Sequence, residues 1–274
     1  MAVINAYWAP TKKMDSFLFS IRKEKRTGYS DVSEVQESIL PFFAFTYLTE
    51  GEVLLEIDGQ PWLCQAGQLL MVPRNIPFRI LYFKESVSYE CGFSLKALKD
   101  LSYSCLHDPH PLLQDFRNED GLFTVALLEL LLQANKQGNT ALVASALDLF
   151  LCRLNNQQHQ SLNPAVNQFL EKVFDRSRRP GKVTDYAREL YITPNYLNRL
   201  VRTHTGHSAM EWIEISRMNL AKSLLKRQTL QVAEIAVAVG IDDQSYFTRF
   251  FKKNEGCTPS QFREQAQENK KKQG

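Results

Sequence analysis

Short apolar runs separated by turn residues fill the chain from Phe17 to about Leu95. The turns carry Asp58-Gly59, Ala66-Gly67 and Pro73-Arg74-Asn75, which are typical connections between antiparallel strands. Several short strands at this spacing predict a sandwich or a barrel. The runs, rich in β-branched and aromatic residues, are FLFSIR, FFAFTYL, EVLLEI, PWLCQ, QLLMV, FRILYF and SVSYECGF.

Apolar residues become denser in two segments that follow, 121–134 (GLFTVALLELLLQA) and 140–154 (TALVASALDLFLCRL). We expect two antiparallel helices that break at Gly138-Asn139. They are too apolar for surface helices that bury only one face. The additional apolar surface either packs on the strands or forms a self-association face, in which case helices 121–154 would make a homodimer contact. Residues 155–163 (NNQQHQSLN) are polar and predict an interdomain linker, with domains of 1–157 and 158–274.

The remaining residues predict helices only. Asn163-Pro164, Thr193-Pro194 and Thr258-Pro259 each pair a capping side chain with a proline, which needs no partner at the first helical position. Gly206 and Gly256 each follow a helical run and suit the left-handed conformation that ends a helix.

An internal repeat lies within this helical part. YLNRLVR at 196–202 matches YFTRFFK at 246–252 with an offset of 50 residues. Upstream, Ala187 and Ile192 match Ala236 and Ile241 with an offset of 49, so the second turn holds one extra residue. Each copy predicts a helix, a tight turn and a second helix whose apolar residues recur at i, i+3 and i+4.

A polar stripe remains opposite the apolar face in both copies. Arginine can pair with guanine, asparagine and glutamine with adenine, and serine or threonine with several base edges, so the stripes suit helices that contact bases in a DNA groove. A single such residue is usually solvated surface, but two matching stripes on one repeated scaffold favour DNA binding. The candidate residues are Asn195, Tyr196, Asn198, Arg199 and Arg202 in the first copy, and Gln244, Ser245, Thr248, Arg249 and Lys252 in the second.

The segment Ser208 to Arg227 predicts a helix that connects the two copies, about 30 Å long at 1.5 Å per residue. Successive major grooves on one side of DNA are about 34 Å apart, so one chain could place a helix in each of two adjacent grooves. Arg217 falls in the apolar stripe of the connecting helix. Its guanidinium either reaches a DNA phosphate or forms an internal ion pair.

Charge is unevenly distributed between the two parts. Residues 161–274 contain 19 Lys and Arg against 12 Asp and Glu, whereas residues 1–160 contain 14 against 18. This favours a polyanion partner for the C-terminal part. The five cysteines are widely spaced without a CxxC pair, and no signal or membrane-spanning segment is evident, so we expect reduced thiols, no membrane association and a cytoplasmic location.

Residues 164–266 resemble the DNA-binding domain of the arabinose-regulator (AraC/XylS) family. The resemblance is carried by VTDYARELYITPNYLNRLVRTHTG, by AKSLL and by AEIAVAVGIDDQSYFTRFFKKNEGCTPSQFRE. Two departures from the family pattern are Ile241, where phenylalanine is usual, and Gln231, where a Ser or Thr cap would be worth about 1 kcal/mol. The resemblance implies recognition helices that begin near Pro194 and Asp243, with base contacts from Asn195, Asn198, Arg199, Gln244, Ser245 and Arg249.

EGEVLLEIDGQPWLCQAGQLLMVPRNIPFRI is similar to the cupin-like sensing barrel common in the same family. We therefore expect a two-domain α+β protein, with a cupin-like β-barrel and two accessory helices followed by an all-α domain of two helix-turn-helix motifs joined by a long helix. The resemblance implies a transcription regulator, an activator by analogy with most relatives, that binds promoter DNA and responds to an unknown small molecule or protein. RNA polymerase is an expected further partner.

Other functions fit the sequence less well. A cupin metal enzyme needs two or three histidines and a carboxylate on neighbouring strands, but the five histidines all lie beyond residue 95, so we expect no catalysis, no metal site and no cofactor. An architectural DNA-binding protein would tolerate many sequences, whereas two different stripes predict a long asymmetric site.

Overall fold

The computed structural model describes residues 19–29, 38–98, 102–117, 121–154, 163–175, 177–227 and 229–273. The chain divides into two compact units between residues 162 and 163, here called the N-terminal and C-terminal units. All of the predicted linker 155–163 except Asn163, together with the predicted domain boundary at 157/158, lies outside the described residues.

An antiparallel sheet forms the N-terminal unit. The central strand path is β1-β6-β3-β5-β7, and β2 pairs with β6 while β4 pairs with β3. Its strands are β1 (Phe19–Tyr29), β2 (Ser38–Ile39), β3 (Phe43–Ile57), β4 (Gln60–Gln65), β5 (Gln68–Val72), β6 (Pro77–Phe93) and β7 (Leu112–Asp115).

Two strands are longer than the sequence indicates. β3 joins the predicted runs FFAFTYL and EVLLEI, and β6 joins FRILYF and SVSYECGF, with register shifts where the runs meet. Gly51 in β3 has φ +74, and a Cβ there would lie 2.2 Å from the carbonyl oxygen of Glu85 in β6. Glycine therefore lets two bent strands approach where a side chain would force them apart.

Two helices pack on one face of the sheet, α1 (Gly121–Lys136) and α2 (Thr140–Leu154). Leu128, Leu131, Leu147 and Phe150 are buried in the same core as Phe45 and other residues of the sheet. Phe45 and Phe150 stack with ring centroids 4.7 Å apart. The apolar density of 121–154 is thus explained largely by packing on the strands, although part of it stays exposed, as described below.

The C-terminal unit is helical. Asn163, Thr193 and Thr258 each accept a backbone N–H at the start of a helix, and Gly206 and Gly256 end helices at φ +78 and +80, which confirms the predicted helix limits. The helices are α3 (Pro164–Phe174), α4 (Val183–Glu189), α5 (Pro194–Thr205), α6 (Ala209–Arg227), α7 (Val232–Ala238), α8 (Gln244–Glu255) and α9 (Pro259–Gln273).

Within the described residues, no helix has the length and hydropathy to cross a membrane, and no group of three His, Cys, Asp or Glu is arranged to hold a metal ion. All five cysteines are free thiols in this structure.

Candidate nucleic-acid interface

Two helix pairs, α4–α5 and α7–α8, have the same local construction. Ala187 in α4 and Ala236 in α7 are buried to 1% and 0% exposure, where small side chains let the following helix cross closely. The apolar stripes of the second helices are buried, with Leu197 and Val201 in α5 and Phe247, Phe250 and Phe251 in α8. We call α4–α5 the first motif and α7–α8 the second motif.

The turns of both motifs require a left-handed residue at the same place in the repeat. Tyr191 has φ +56 in the first motif, and Gly240, which matches it with the offset of 49, has φ +81 in the second. Tyr191 is 96% exposed, so its side chain meets little resistance apart from the backbone strain itself. The repeat therefore extends to backbone conformation.

Side chains cap the two second helices in equivalent ways. The side chain of Thr193 accepts the N–H of Tyr196 at 3.2 Å, and Asp243 accepts the N–H of Tyr246 at 2.7 Å. Both caps fix where the helix begins and therefore which residues occupy its first two turns, the part of a recognition helix that enters a groove.

The polar stripes of α5 and α8 face away from the helical core. Their exposure agrees with the stripe predicted from the sequence. Asn198 and Thr248 are half-buried, and the exposed members are Asn195, Tyr196, Arg199, Arg202, Gln244, Ser245, Arg249 and Lys252.

Asn198 and Thr248 also make contacts within the protein. The Asn198 side chain accepts the backbone N–H of Ala209 at 3.0 Å, so it helps to start α6. The Thr248 hydroxyl donates to the carbonyl oxygen of Gln244 at 2.9 Å. Each residue can offer less to an external partner than the exposed members of the stripe.

Three exposed arginines, Arg199, Arg202 and Arg249, belong to the stripes. Arg199 lies over the ring of Tyr196 at 5.4 Å from the centroid, an arrangement that orients the planar group. Within the described residues, neither Arg199 nor Arg249 forms an ion pair. Tyr246, 49% exposed, occupies the position that matches Tyr196, and the offset of 50 residues would have identified it from the sequence.

The structure places Arg217 within the helical packing of the C-terminal unit. Its side chain is buried, with 8% of the residue exposed, and Nη2 donates to the carbonyl oxygen of Gly181 at 2.9 Å. Burial lowers the pKa of Arg217. The partner found for the guanidinium is a backbone carbonyl rather than a carboxylate, and its burial sets it apart from the exposed stripes.

Comparison with known proteins gives the family. A helix-turn-helix domain model matches residues 186–265. An HTH-type transcriptional regulator of Escherichia coli, YijO, is 30% identical over 218 residues, which cover 73% of this chain and 74% of that protein. The chain belongs to the AraC family of transcription regulators. Other AraC-family relatives include the arabinose operon regulatory protein of Escherichia coli, 32% identical over 111 residues, or 40% of this chain and 38% of that one.

A third relative and two solved structures add to the comparison. The Msm operon regulatory protein of Streptococcus mutans is 30% identical over 47% of this chain and 46% of its own. The C-terminal domain of AraT from Geobacillus stearothermophilus is 32% identical with a TM-score of 0.36, over 39% of this chain and 88% of that one. Fatty-acid-bound ToxT from Vibrio cholerae is 16% identical with a TM-score of 0.35, and the match covers 92% of this chain and 97% of that one. These TM-scores are low, so the AraC-family assignment rests on sequence.

Membership in the AraC family makes the chain a DNA-binding transcription regulator with its helix-turn-helix motifs in the C-terminal unit. The relatives named here regulate transcription and are not enzymes.

Proposed function

We propose that this AraC-family protein binds promoter DNA sequence-specifically through both motifs, in two adjacent major grooves, and acts in the cytoplasm as an activator under the control of an effector. The observation that carries the proposal is the pair of exposed polar stripes at equivalent positions of α5 and α8. A surface without a partner has little reason to repeat the same residue types on the same scaffold.

The length of α6 suits this arrangement. It contains 19 residues and so spans about 28 Å at 1.5 Å per residue, close to the roughly 34 Å between successive major grooves on one side of DNA. A single chain would then contact two boxes about one helical turn apart.

The residue types suggest a division of labour. Arg199 and Arg249 suit bidentate pairing with guanine, and Asn195 and Gln244 suit adenine. Arg202 and Lys252 lie one turn further along their helices, where phosphate contacts would position the helix without selecting a base. Tyr196 and Tyr246 would contribute ring and hydroxyl contacts at the groove edge.

Selection of binding sites from random double-stranded DNA tests this function. We expect an asymmetric site with two different boxes, about 10 base pairs apart from centre to centre. An ensemble that shares only flexible or A·T-rich steps would instead support an architectural DNA-binding protein and contradict the two-box proposal.

Control by an effector is assigned to the N-terminal unit, with a cupin-like barrel as the proposed closed form of its sheet. Across the strands, Thr46, Glu90 and Arg22 are paired in register on the face opposite Phe45, Cys91 and Ile21. Thr46, Ser88 and Glu90 are at most 5% exposed. Buried polar groups of this kind give that face hydrogen-bonding capacity, which supports a small polar molecule as effector over a purely apolar one.

The N-terminal unit also carries apolar side chains that favour a homodimer. Leu122 is 89% exposed, and Phe123, Leu130 and Leu149 are 42–49% exposed, all on α1 or α2. The buried stripes of these helices pack on the sheet, and on the second face Phe123 meets only the guanidinium of Arg153, 4.6 Å from its ring centroid, while Leu122 stays almost fully exposed among the described residues. RNA polymerase is the remaining proposed partner, since an activator must affect its recruitment or activity.

A lysine at Leu122 is expected to weaken the proposed homodimer. In a two-fold dimer the change occurs twice, and the loss of about 1.5–3 kcal/mol of burial per copy predicts a dissociation constant raised at least about 100-fold. Sedimentation equilibrium would measure it, with Ile39→Lys as the control because Ile39 is 61% exposed on β2. A wild-type protein that stays monomeric at micromolar concentration would contradict the dimer.

A further inference from the structure

Three segments of the C-terminal unit meet around one side chain in the middle of α6. Arg217 donates through Nη2 to the carbonyl oxygen of Gly181, which lies just before α4. The connecting helix is therefore bonded directly to the segment that leads into the first motif.

The second motif packs against the same place. A Cβ on Gly240 would lie 2.2 Å from the carbonyl oxygen of Pro180 and 3.4 Å from Nη2 of Arg217. The turn of the second motif thus touches the backbone that precedes the first motif, and only glycine allows this approach. Arg179 and Asp242 add an ion pair between the same two segments. We call Arg179–Gly181, Arg217 and Gly240–Asp242 the inter-motif junction.

Arg217 also lies where α6 passes from one hydrophobic core to the next. Before it, Trp212 packs edge-on against Phe174 of α3, and the Ser216 hydroxyl donates to the carbonyl oxygen of Val173 at 2.6 Å. After it, Met218 and Ala221 belong to the core built around α7 and α8. The two motifs therefore have separate cores on either side of this residue.

Beside the junction the motifs are separated by a groove of about 520 Å³. Val183 and Thr184 line it on the side of the first motif, and Asp243 and Tyr246 line it on the side of the second. A groove of this size leaves room for the motifs to change their relative orientation if the contacts of the junction are removed.

Hydrogen bonding of Arg217 is incomplete, because its buried Nε has no partner among the described residues. A buried guanidinium with one unbonded N–H donor contributes little to stability, since an apolar side chain of similar size would often make the folded state more stable. Its single bond, however, is directional and ties α6 to one carbonyl oxygen. This chemistry fits a residue that fixes geometry.

We propose that Arg217 is a positioning residue that sets the distance and angle between α5 and α8, and hence the spacing between the two DNA boxes that the protein accepts. The inference rests on the proposed two-groove binding. Arg217 affects DNA binding only by fixing the inter-motif junction, and it makes no contact with bases or phosphates.

The test measures the affinity of the full chain for its selected operator and for the same operator with one base pair inserted between the boxes. The insertion moves one box by about 3.4 Å and about 35°, so the wild-type protein should bind it at least about tenfold more weakly. Arg217→Met retains most of the buried stem but removes the donor, and its penalty for the insertion should fall to about threefold or less.

Two further variants make the result specific. Arg217→Lys keeps one donor and should recover part of the spacing penalty. Arg188→Met removes an exposed arginine of α4 outside the junction and should leave the penalty at the wild-type value. Because the penalty is a ratio of two affinities from one protein preparation, it does not depend on the fraction of molecules that fold.

An unchanged spacing penalty in Arg217→Met would overturn the positioning role, whether or not overall affinity falls. Failure of the wild-type protein to distinguish the two spacings would overturn the two-groove function as well, so the two failures can be told apart.

Discussion

Alanine at Arg199 or at Arg249 should weaken binding to the selected operator by about 1–3 kcal/mol each, which is about 5- to 150-fold in affinity. Each variant loses one guanidinium fork that can pair with the O6 and N7 atoms of a guanine. The two arginines occupy separate motifs with separate cores, so their effects should add in the double variant. Fluorescence anisotropy with labelled operator, at one fixed salt concentration, measures the change.

The pattern of loss separates base contact from general attraction to DNA. Arg199→Ala should relax the preference in one box only, and Arg249→Ala in the other. Arg74→Ala, which removes an exposed arginine of the N-terminal unit, is the control for net charge and should change operator affinity little. If both variants bind the wild-type operator with unchanged affinity, the assignment of these residues to base contacts is wrong.

Sequence pattern predicted the C-terminal unit well because its signals are local. A cap such as Thr193 and a left-handed glycine such as Gly206 each act within a few residues of the chain. The internal repeat predicted which face of each second helix is exposed, because both copies keep the same apolar stripe and the same polar stripe opposite it. Tyr246 could have been predicted as well, because it matches Tyr196 with the offset of 50 residues.

Long-range contacts were not predictable in the same way. The sequence predicts separate strands before and after Gly51, but the position of this residue against the backbone of Glu85 makes it a bend inside one long strand. Strand β7 was missed because its four residues pair with β5 across at least forty intervening positions. Arg217 illustrates the same limit, because its partner carbonyl, on Gly181, is 36 residues away.

The polar face of the sheet was also hidden from sequence. Alternation in β1 and β6 shows which residues share a face, but not which face is covered. The structure buries Glu90 to 3% exposure between two arginines of β1. The proposed polar effector and the stability of the N-terminal unit therefore depend on the same group of side chains.

Replacement of Glu90 by alanine should destabilise the N-terminal unit by about 3–5 kcal/mol, because removal of one partner leaves buried charge uncompensated. Glu90 accepts Nε and Nη2 of Arg22 at 3.0 and 2.8 Å and also pairs with Arg26. The side chain of Arg26 is only 13% exposed, whereas Arg22 is 30% exposed and keeps Glu24 at 3.2 Å. Arg26 therefore loses its carboxylate in the variant but still donates to the Ser88 hydroxyl at 3.2 Å, so the lower end of the range is expected.

Urea unfolding followed by tryptophan fluorescence measures this loss in a Trp212→Phe background, in which Trp62 of β4 reports on the N-terminal unit. Glu56→Ala is the matched control: Glu56 also pairs with one arginine, Arg79, but both side chains are 21% exposed, so a loss of about 1 kcal/mol or less is expected. Equal losses in the two variants would mean that solvent reaches Glu90 as readily as Glu56. The buried polar face, and with it the argument for a polar effector, would then fail.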